Sequence, residues 1–212
     1  MVAEPTLHNM HLTNCRYSLF ERLLRWLKSP EGYDERYVYM LRHQGRMHEE
    51  IAQFASRAFY DGKLEVVPLP HQTAPCTPLG TNEVAQLVSG QRIAFVASPL
   101  PKIPRYSKSN EAEARMIAKM VVEIYNLNNE HFDPDQTVGV IVPYRNQIAT
   151  IRNASAAYGI AGLCDITIDT VERYQGSQRD YIIYGFTVTD EYQLEFLTGS
   201  CFVEDGKVID RK

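Results

Sequence analysis

The strongest chemical signal in this sequence is a polar loop between two apolar runs, within ITIDTVERYQGSQRDYIIYGFTV at residues 166–188. The β-branched run before Thr170 and the apolar run after Asp180 both predict short strands. The loop between them contains Gln175 and Gly176. Glycine lets the backbone approach a ligand closely, and the neighbouring hydroxyl, amide and guanidinium groups can hydrogen-bond to phosphates. We therefore expect this loop to contact a nucleotide or a nucleic-acid backbone.

Two further loops place polar and charged side chains beside predicted elements. Residues 43–48 read HQGRMH and put Arg46 just before a predicted helix. The run PYRNQ begins at Pro143 and puts Tyr144 and Arg145 directly after the apolar strand VGVIV. Free N–H groups at the start of a helix favour a bound phosphate, so Arg145 is a candidate contact to a nucleic-acid backbone. A solvent-facing first turn is the alternative for these residues.

Composition limits the class of protein to which the chain belongs. Its 212 residues suffice for one substantial core, and 44% hydrophobic with 23% charged residues is ordinary for a globular domain. The net charge of −4 argues against a large basic face but allows a local basic groove. The sequence has no apolar run long enough for a membrane span and no signal-peptide pattern, so we expect no membrane partner and a cytoplasmic location.

The cysteines give no indication of a metal site. Cys15, Cys76, Cys164 and Cys201 are widely scattered, and no C-x-x-C pair occurs. Zinc sites usually contain such pairs. We therefore predict no metal site in this chain and interpret the cysteines as reduced thiols.

Hydrophobic periodicity predicts the elements that hold these loops. Apolar residues at helical spacing predict helices at residues 14–29, 48–60 and 109–129, and a fourth from about Tyr144 to Tyr158. Apolar runs predict strands at residues 92–98, 138–142, 166–168 and 181–188. For the second helix, the predicted inward residues are Ile51, Phe54, Ala55, Ala58 and Phe59. Helices alternating with continuous apolar strands indicate an α/β fold with a mostly parallel sheet flanked by helices.

Residues 64–108 differ in composition from the rest, because they contain seven of the eleven prolines. Proline lacks a backbone N–H and disfavours regular elements, so this density predicts irregular chain at the surface. We interpret the stretch as an insertion or edge segment within one domain rather than as a separate domain.

Three segments, in this order, resemble motifs of superfamily 1 helicases. They read HQGRMHEEIAQFASRAFYDGKL, VGVIVPYRNQIATIR and DTVERYQGSQRDYIIYGFTV. The resemblance extends from about residue 18 to residue 188, and it is to the subgroup that includes the nonsense-mediated-decay RNA helicase and related replication helicase-nucleases. It implies a RecA-like P-loop NTPase fold in which this chain is the second motor domain. The chain has no P-loop of its own, because no G-x-x-x-x-G-K-[ST] sequence occurs.

The same resemblance implies a longer parent protein. Residues 1–212 are then expected to be a single C-terminal RecA-like domain, present as a fragment. ATP with Mg²⁺ is expected to be bound mainly by the missing N-terminal RecA-like domain of the same parent chain. We expect the parent to be an ATP-dependent helicase acting on single-stranded DNA or RNA, and the fragment alone to be inactive because it lacks the Walker lysine.

The resemblance implies nucleotide contacts at four positions. Arg46 matches an arginine that reaches the γ-phosphate across the domain cleft, where its charge stabilises the transition state of phosphoryl transfer. Gln44 lies beside it in the same motif. Gly176 belongs to a Gln-Gly pair that couples the nucleic-acid track to the ATP cleft, and Gln178 stands where glutamate is usual. A solvated Arg46 that caps a helix is the alternative.

Four residues are expected to contact nucleic acid. Thr170 matches a threonine whose hydroxyl and backbone contact a phosphate, which fixes register without reading sequence. Gln175 belongs to the Gln-Gly pair, while Tyr144 and Arg145 open the helix after a buried strand. For Thr170, the alternative is a β-branched residue that merely ends a strand.

Two departures from the family pattern keep a second hypothesis open. Gly45 stands where related enzymes commonly have a tyrosine that stacks on the base, and Gln178 replaces a carboxylate expected to contact the nucleotide sugar. The rival hypothesis is a degenerate helicase-like module that binds nucleic acid or a protein partner without ATPase activity. A third hypothesis is a regulatory domain that binds a mononucleotide.

Overall fold

The computed structural model describes residues 19–30, 32–34, 36–98, 107–188, 193, 202–204 and 207–209. Two compact units share the chain, and the boundary between them lies between Thr73 and Ala74. Residues 14–18 of the predicted first helix lie outside the described part, as do Cys15 and Cys201. Among the described residues, no helix is both long enough and apolar enough to cross a bilayer.

The first unit, residues 1–73, is built from short elements. Its described helices are α1 (Leu19–Leu27), α2 (Glu49–Phe59) and α3 (Pro70–Thr73). Its described strands are β1 (Lys28–Ser29), β2 (Gly32–Tyr33), β3 (His43–Gln44) and β4 (Glu65–Val66). Strands β1 and β2 pair in antiparallel, whereas β3 and β4 pair in parallel and are connected through α2. The first predicted helix is confirmed at Leu19–Leu27, whereas its predicted end at Lys28–Ser29 forms β1, and the second is confirmed at Glu49–Phe59.

Helix α2 begins where the sequence supplies a cap. The His48 ring accepts a hydrogen bond from the Glu50 N–H at 3.3 Å. Glu49 and Glu50 lie in the first turn and Arg57 in the last. Negative charge at the start of a helix and positive charge at its end both complement the helix dipole. Local sequence therefore determines where this helix starts and stops.

The predicted inward face of α2 is wrong. Its buried side chains are Ala52 and Ser56, whereas Phe54 and Phe59 are 71% and 73% exposed. The Ser56 hydroxyl donates to Leu64 O at 3.2 Å and accepts from Leu64 N at 3.1 Å, just before β4. These bonds turn the small side chains toward β4. Hydrophobic periodicity does not register hydrogen bonding to the backbone, which here orients the helix.

The second unit, residues 74–212, contains a parallel sheet with helices packed on it. Its described helices are α4 (Glu83–Gly90), α5 (Glu111–Leu127), α6 (Arg145–Ala156) and α7 (Val171–Tyr174). Its described strands are β5 (Val138–Ile141), β6 (Thr167–Asp169), β7 (Tyr181–Tyr184), β8 (Phe202–Glu204) and β9 (Lys207–Ile209). The sheet order is β6-β5-β7, with both pairings parallel, and β8 pairs with β9 in antiparallel. The predicted α/β fold is confirmed.

Strand β5 lies at the centre of this sheet. Val138 and Val140 are fully buried and belong to a core shared with α5 and α6. Asn110 caps α5, because its side-chain oxygen accepts from the Glu113 N–H at 3.1 Å. The buried residues of α5 are Ala114, Ile117, Ala118, Val121, Val122 and Ile124. Periodicity predicts this helix well, because apolar packing alone orients its buried face.

The strand predicted at residues 92–98 does not form. No strand is assigned to this segment, and Ile93 and Phe95 are 59% and 83% exposed. A strand needs a neighbour to satisfy its backbone groups, and none of the described strands pairs with these residues. Arg92 instead donates to Ala74 O at 2.6 Å.

Gly139, in the middle of β5, tests the packing on this sheet. A β-carbon at this position would lie 2.5 Å from the Tyr174 hydroxyl oxygen and 2.8 Å from ring carbon Cε1. We expect Gly139→Ala to lower the free energy of unfolding, measured by urea denaturation, by about 1–3 kcal/mol. The double variant Gly139→Ala with Tyr174→Phe should lose less unfolding free energy than the sum of the two single variants, because the Tyr174 hydroxyl oxygen is the atom closest to the new β-carbon and is absent in the double variant. An unchanged midpoint for Gly139→Ala would contradict this packing.

Candidate functional site

The carboxyl ends of β5, β6 and β7 lie at one edge of the sheet, because the three strands are parallel. The loop after β5 carries Tyr144 and Arg145, and the loop after β6 carries Thr170. The pKa of Glu172 is lowered by hydrogen bonds, first from its own N–H and then from the Thr170 hydroxyl, and also by the Arg145 charge. The two loops are therefore close enough to interact electrostatically at this edge.

Thr170 begins the short helix α7 and is partly exposed. Its N–H donates to Asp169 Oδ1 at 2.8 Å, and its carbonyl accepts from the Arg173 N–H at 3.1 Å. Arg173 Nε also lies 3.9 Å from Asp169 Oδ2. Carboxylates of Asp169 and Glu172 thus flank Thr170, and the cations Arg145 and Arg173 balance them. The backbone at the end of β6 is held firmly, and the threonine side chain remains at the surface.

Gln175 and Gly176 form the corner of a type II turn. Gln175 has φ −56° and ψ 122°, Gly176 has φ +86°, and the Ser177 N–H donates to Tyr174 O at 2.9 Å. A type II turn requires a positive φ at its third residue, which glycine adopts without strain. Both corner residues are exposed, and a β-carbon on Gly176 would meet no atom within 4 Å. The backbone at this corner is therefore accessible to a ligand.

Tyr174 and Arg179 fix this turn to β6. The buried Tyr174 donates its hydroxyl proton to Thr167 O at 2.5 Å. The Arg179 guanidinium carbon lies 5.8 Å from the Tyr174 ring centroid, and its nitrogens donate to Thr167 Oγ1 at 3.2 Å and to Gln178 O at 2.7 Å. Gln178 is thus held through its carbonyl, while the residue itself is exposed. The sequence analysis did not identify Arg179. The sequence feature that could have indicated it is a cationic residue three positions after Gly176.

Tyr144 and Arg145 open α6 at the same edge. Tyr144 makes no capping hydrogen bond with its side chain, and Lys108 Nζ lies 5.8 Å from its ring centroid. Burial raises the pKa of Tyr144, and Tyr184 adds to the rise. Arg145 is exposed. An aromatic ring with a cation beside it suits a nucleotide unit, which carries both a flat base and a phosphate.

Behind this edge lies a buried polar network that sequence reasoning did not single out. Gln147 is fully buried on α6. Its Oε1 accepts from Asn110 N at 2.7 Å, and its Nε2 donates to Asn110 O at 2.9 Å and to Glu113 Oε2 at 3.0 Å. The side-chain amide therefore pairs with both the backbone N–H and the backbone C=O of Asn110, as a residue on a neighbouring strand would. Its sequence signal is a glutamine one helical turn before the buried Ile151.

Glu113 ties α5 to the chain that follows β7. Its two carboxylate oxygens each lie 3.0 Å from the Thr187 nitrogen, whose N–H donates to them. Thr187 is fully buried and has φ +58°, which β-branched residues rarely adopt. Burial raises the pKa of Glu113, and hydrogen bonds from Thr187 and Gln147 oppose that rise. The carboxylate thus holds a backbone conformation that threonine otherwise avoids.

The Arg46 loop belongs to the first unit and joins β3 to α2. Gln44 Oε1 accepts from Arg46 N at 2.9 Å and from Met47 N at 2.7 Å, and Gln44 Nε2 donates to Met47 O at 2.9 Å. The Gln44 amide is thus used within its own loop, and its predicted contact to a nucleotide stays a prediction. The Gln44 side chain therefore links the two ends of the loop backbone.

Arg46 itself is exposed. In the part of the chain that the structure describes, no carboxylate forms an ion pair with its guanidinium. An exposed guanidinium with no such ion pair can bind a phosphate through two parallel N–H donors.

Over the same described ranges, no cluster of three or more His, Cys, Asp or Glu side chains could hold a metal ion.

Comparison with known proteins identifies similar sequences. The sequence model of a family described as an AAA domain matches residues 15–208. Helicase SEN1 of Saccharomyces cerevisiae is 27% identical over 199 residues, which is 88% of this chain and 8% of that protein. The Arabidopsis thaliana regulator of nonsense transcripts 1 homolog is 29% identical over 183 residues, 83% of this chain and 13% of that protein. DNA polymerase alpha-associated DNA helicase A of Saccharomyces cerevisiae is 25% identical over 207 residues, 90% of this chain and 27% of that protein.

Replacing Glu113 should remove a pH dependence of stability. The folded state holds the Glu113 proton more tightly than the unfolded state, so stability falls as pH rises from below 4.5 through the raised pKa. We expect the free energy of unfolding of the wild type, relative to Glu113→Gln, to fall across this window and then level off. Urea unfolding between about pH 4 and about pH 8 measures it. The exposed Glu111→Gln on the same helix is the control, and a difference that is constant with pH would contradict the raised pKa.

Proposed function

This chain belongs to the AAA domain family and to the superfamily 1 helicases of the Sen1 and nonsense-transcript-regulator type, and from this premise we propose that residues 1–212 form the second RecA-like domain of an ATP-dependent helicase. The chain spans 8%, 27% and 17% of the length of three of its relatives, so the proposal concerns one part of a larger protein. That protein would bind ATP with Mg²⁺ at the P-loop of its N-terminal RecA-like domain.

The observation that carries this proposal is the exposed guanidinium of Arg46, which no carboxylate of the described residues pairs with, on a loop with a fixed backbone. Charge spreads over the oxygens of a phosphoryl group as it is transferred, and a guanidinium held nearby stabilises that charge. The residues present fit the γ-phosphate of ATP, because Arg46 offers positive charge that no carboxylate of the described residues neutralises. Bound ATP would supply the phosphoryl group, and Arg46 would supply charge stabilisation from this domain.

The edge of the sheet supports contacts to a single strand of DNA or RNA. Arg145 can reach phosphate oxygens, and the Thr170 hydroxyl can do so in place of its hydrogen bond to Glu172. The open corner at Gln175 and Gly176 offers exposed backbone. Tyr144 offers a ring next to the Lys108 ammonium. Such contacts hold a strand by its backbone and by stacking, which tolerates any sequence. Several relatives are named as helicases, which supports the same assignment.

The second candidate is a helicase-like module that binds nucleic acid or a protein partner without ATP hydrolysis. Two observations favour it. Gly45 provides no ring to stack on a base, and Gln178 provides no carboxylate. The sequence encoded upstream discriminates between the two candidates, because a P-loop there supports the motor and its absence supports the module.

Removing the Arg46 charge should stop ATP turnover in the protein that joins this chain to its P-loop domain. We expect Arg46→Ala to lower kcat for nucleic-acid-stimulated ATP hydrolysis about 1,000-fold, with the KM for ATP nearly unchanged, because the guanidinium acts in the transition state. Arg46→Lys should also lower kcat, because the lysine ammonium lacks the planar pair of N–H donors of a guanidinium.

Arg42→Ala is the matched control, since Arg42 is an exposed arginine in the same stretch of chain. It should retain the wild-type rate. Wild-type turnover in Arg46→Ala would refute the proposed role. A protein that binds single strands but hydrolyses no ATP would instead support the module.

The contact of Arg145 with a phosphate can be tested on this chain directly. We expect Arg145→Ala to weaken binding of a labelled single-stranded oligonucleotide and to reduce the slope of log K against log salt by about 0.7, because one counterion fewer is released. Fluorescence anisotropy at several salt concentrations measures both. Arg152→Ala, on the same helix but away from the edge, should leave the slope unchanged. Equal slopes for wild type and Arg145→Ala would contradict the contact.

A further inference from the structure

The Arg46 loop is held from outside by Gln72, a residue of the short helix α3. The Gln72 side chain is fully buried. Its Nε2 donates to Gln44 O at 2.9 Å and to Met47 O at 2.9 Å. One NH₂ group therefore bridges the two ends of the loop that carries Arg46.

Side chains hold other backbone groups of this loop as well. Gln44 Oε1 accepts from the N–H groups of Arg46 and Met47, at 2.9 Å and 2.7 Å. A ring nitrogen of His71, also on α3, lies 3.1 Å from Gly45 O. The loop backbone is thus fixed at nearly every peptide, whereas the Arg46 guanidinium is exposed.

Gln72 is not needed to satisfy the two carbonyls that it binds. Gln44 O also accepts from Val67 N at 3.0 Å, and Met47 O also accepts from Gln44 Nε2 at 2.9 Å. The Oε1 of Gln72 is buried, and no described residue donates a hydrogen bond to it. Burying an amide oxygen in this way costs free energy. The second pair of hydrogen bonds therefore adds geometric restraint to carbonyls that already have partners.

We propose that Gln72 is a positioning residue for Arg46. By bridging positions 44 and 47, it fixes the backbone from which the guanidinium extends toward a transferring phosphate. This inference rests on the proposed function of Arg46 and deepens it. A catalytic group that moves by about 1 Å can lose on the order of 100-fold in rate. A loop held in place before ATP binds avoids that loss.

Limited digestion of this chain with trypsin tests the restraint. Trypsin cuts after Arg46 when the loop opens, so the rate of that cut reports opening. We expect Gln72→Leu to speed cleavage after Arg46 about tenfold, because two hydrogen bonds are lost. Cleavage after Arg57, on α2 of the same unit, should not change. Thr73→Ala, with an exposed side chain on the same short helix, is the matched control and should cut at the wild-type rate.

An unchanged rate of cleavage after Arg46 in Gln72→Leu would overturn the inference. If that variant does not fold, Gln72→Glu keeps the shape of the side chain but places oxygen against two carbonyl oxygens. It should also open the loop and speed the cut after Arg46. Failure to do so in a folded Gln72→Glu protein overturns the inference equally.

ATP hydrolysis by the protein that joins this chain to its P-loop domain tests the link to Arg46. We expect Gln72→Leu to lower kcat about 100-fold with little change in the KM for ATP. In the Arg46→Ala background, the same change should cost nothing further, because both act through one guanidinium. An equal loss in both backgrounds shows an independent structural effect and overturns the inference. If Arg46→Ala itself leaves kcat unchanged, the proposed function fails, and a catalytic role for Gln72 fails with it.

Discussion

Hydrogen bonds from glutamine side chains to backbone N–H and C=O groups hold the loops where function is proposed, in several cases beside a second partner of the same carbonyl. Gln44 and Gln72 bind the backbone of the Arg46 loop, and Gln147 pairs with the backbone N–H and C=O of Asn110 behind the edge of the sheet. A primary amide carries a donor and an acceptor like those of a peptide. It can therefore continue a hydrogen-bonded network where the chain has no further strand to offer.

This constraint explains how the loops combine a fixed backbone with exposed functional side chains. Arg46, Arg145 and Gln175 all project from segments whose peptides are hydrogen-bonded. A ligand that meets such a loop does not have to order it, so less of the interaction free energy is lost on binding. Backbone strain is likewise confined to a buried residue, because hydrogen bonds to Glu113 hold Thr187 at a positive φ within the core. Support and recognition are thus divided between buried and exposed groups.

Sequence patterns predicted the parts of the structure that apolar packing determines. The strands β5, β6 and β7 and helix α5 follow from continuous or periodic apolar residues, and these give the α/β fold. The pattern failed where hydrogen bonding decides, as at Ser56 in α2, and where a strand lacks a partner, as at residues 92–98. The networks around Gln72 and Gln147 join residues 25 to 37 positions apart. No local pattern specifies such pairings, because they depend on how the elements meet.

Of the two glycines in the candidate sites, the backbone requires only one to be glycine. Gly176 has φ +86° in a type II turn, so the backbone itself requires a residue without a β-carbon. Gly45 has no positive φ, and a β-carbon there would lie 3.6 Å from Leu69, an ordinary contact. Neither a positive φ nor crowding at the β-carbon requires glycine at position 45. The backbone conformation of this loop therefore depends on the hydrogen bonds from Gln44 and Gln72 rather than on a glycine at position 45.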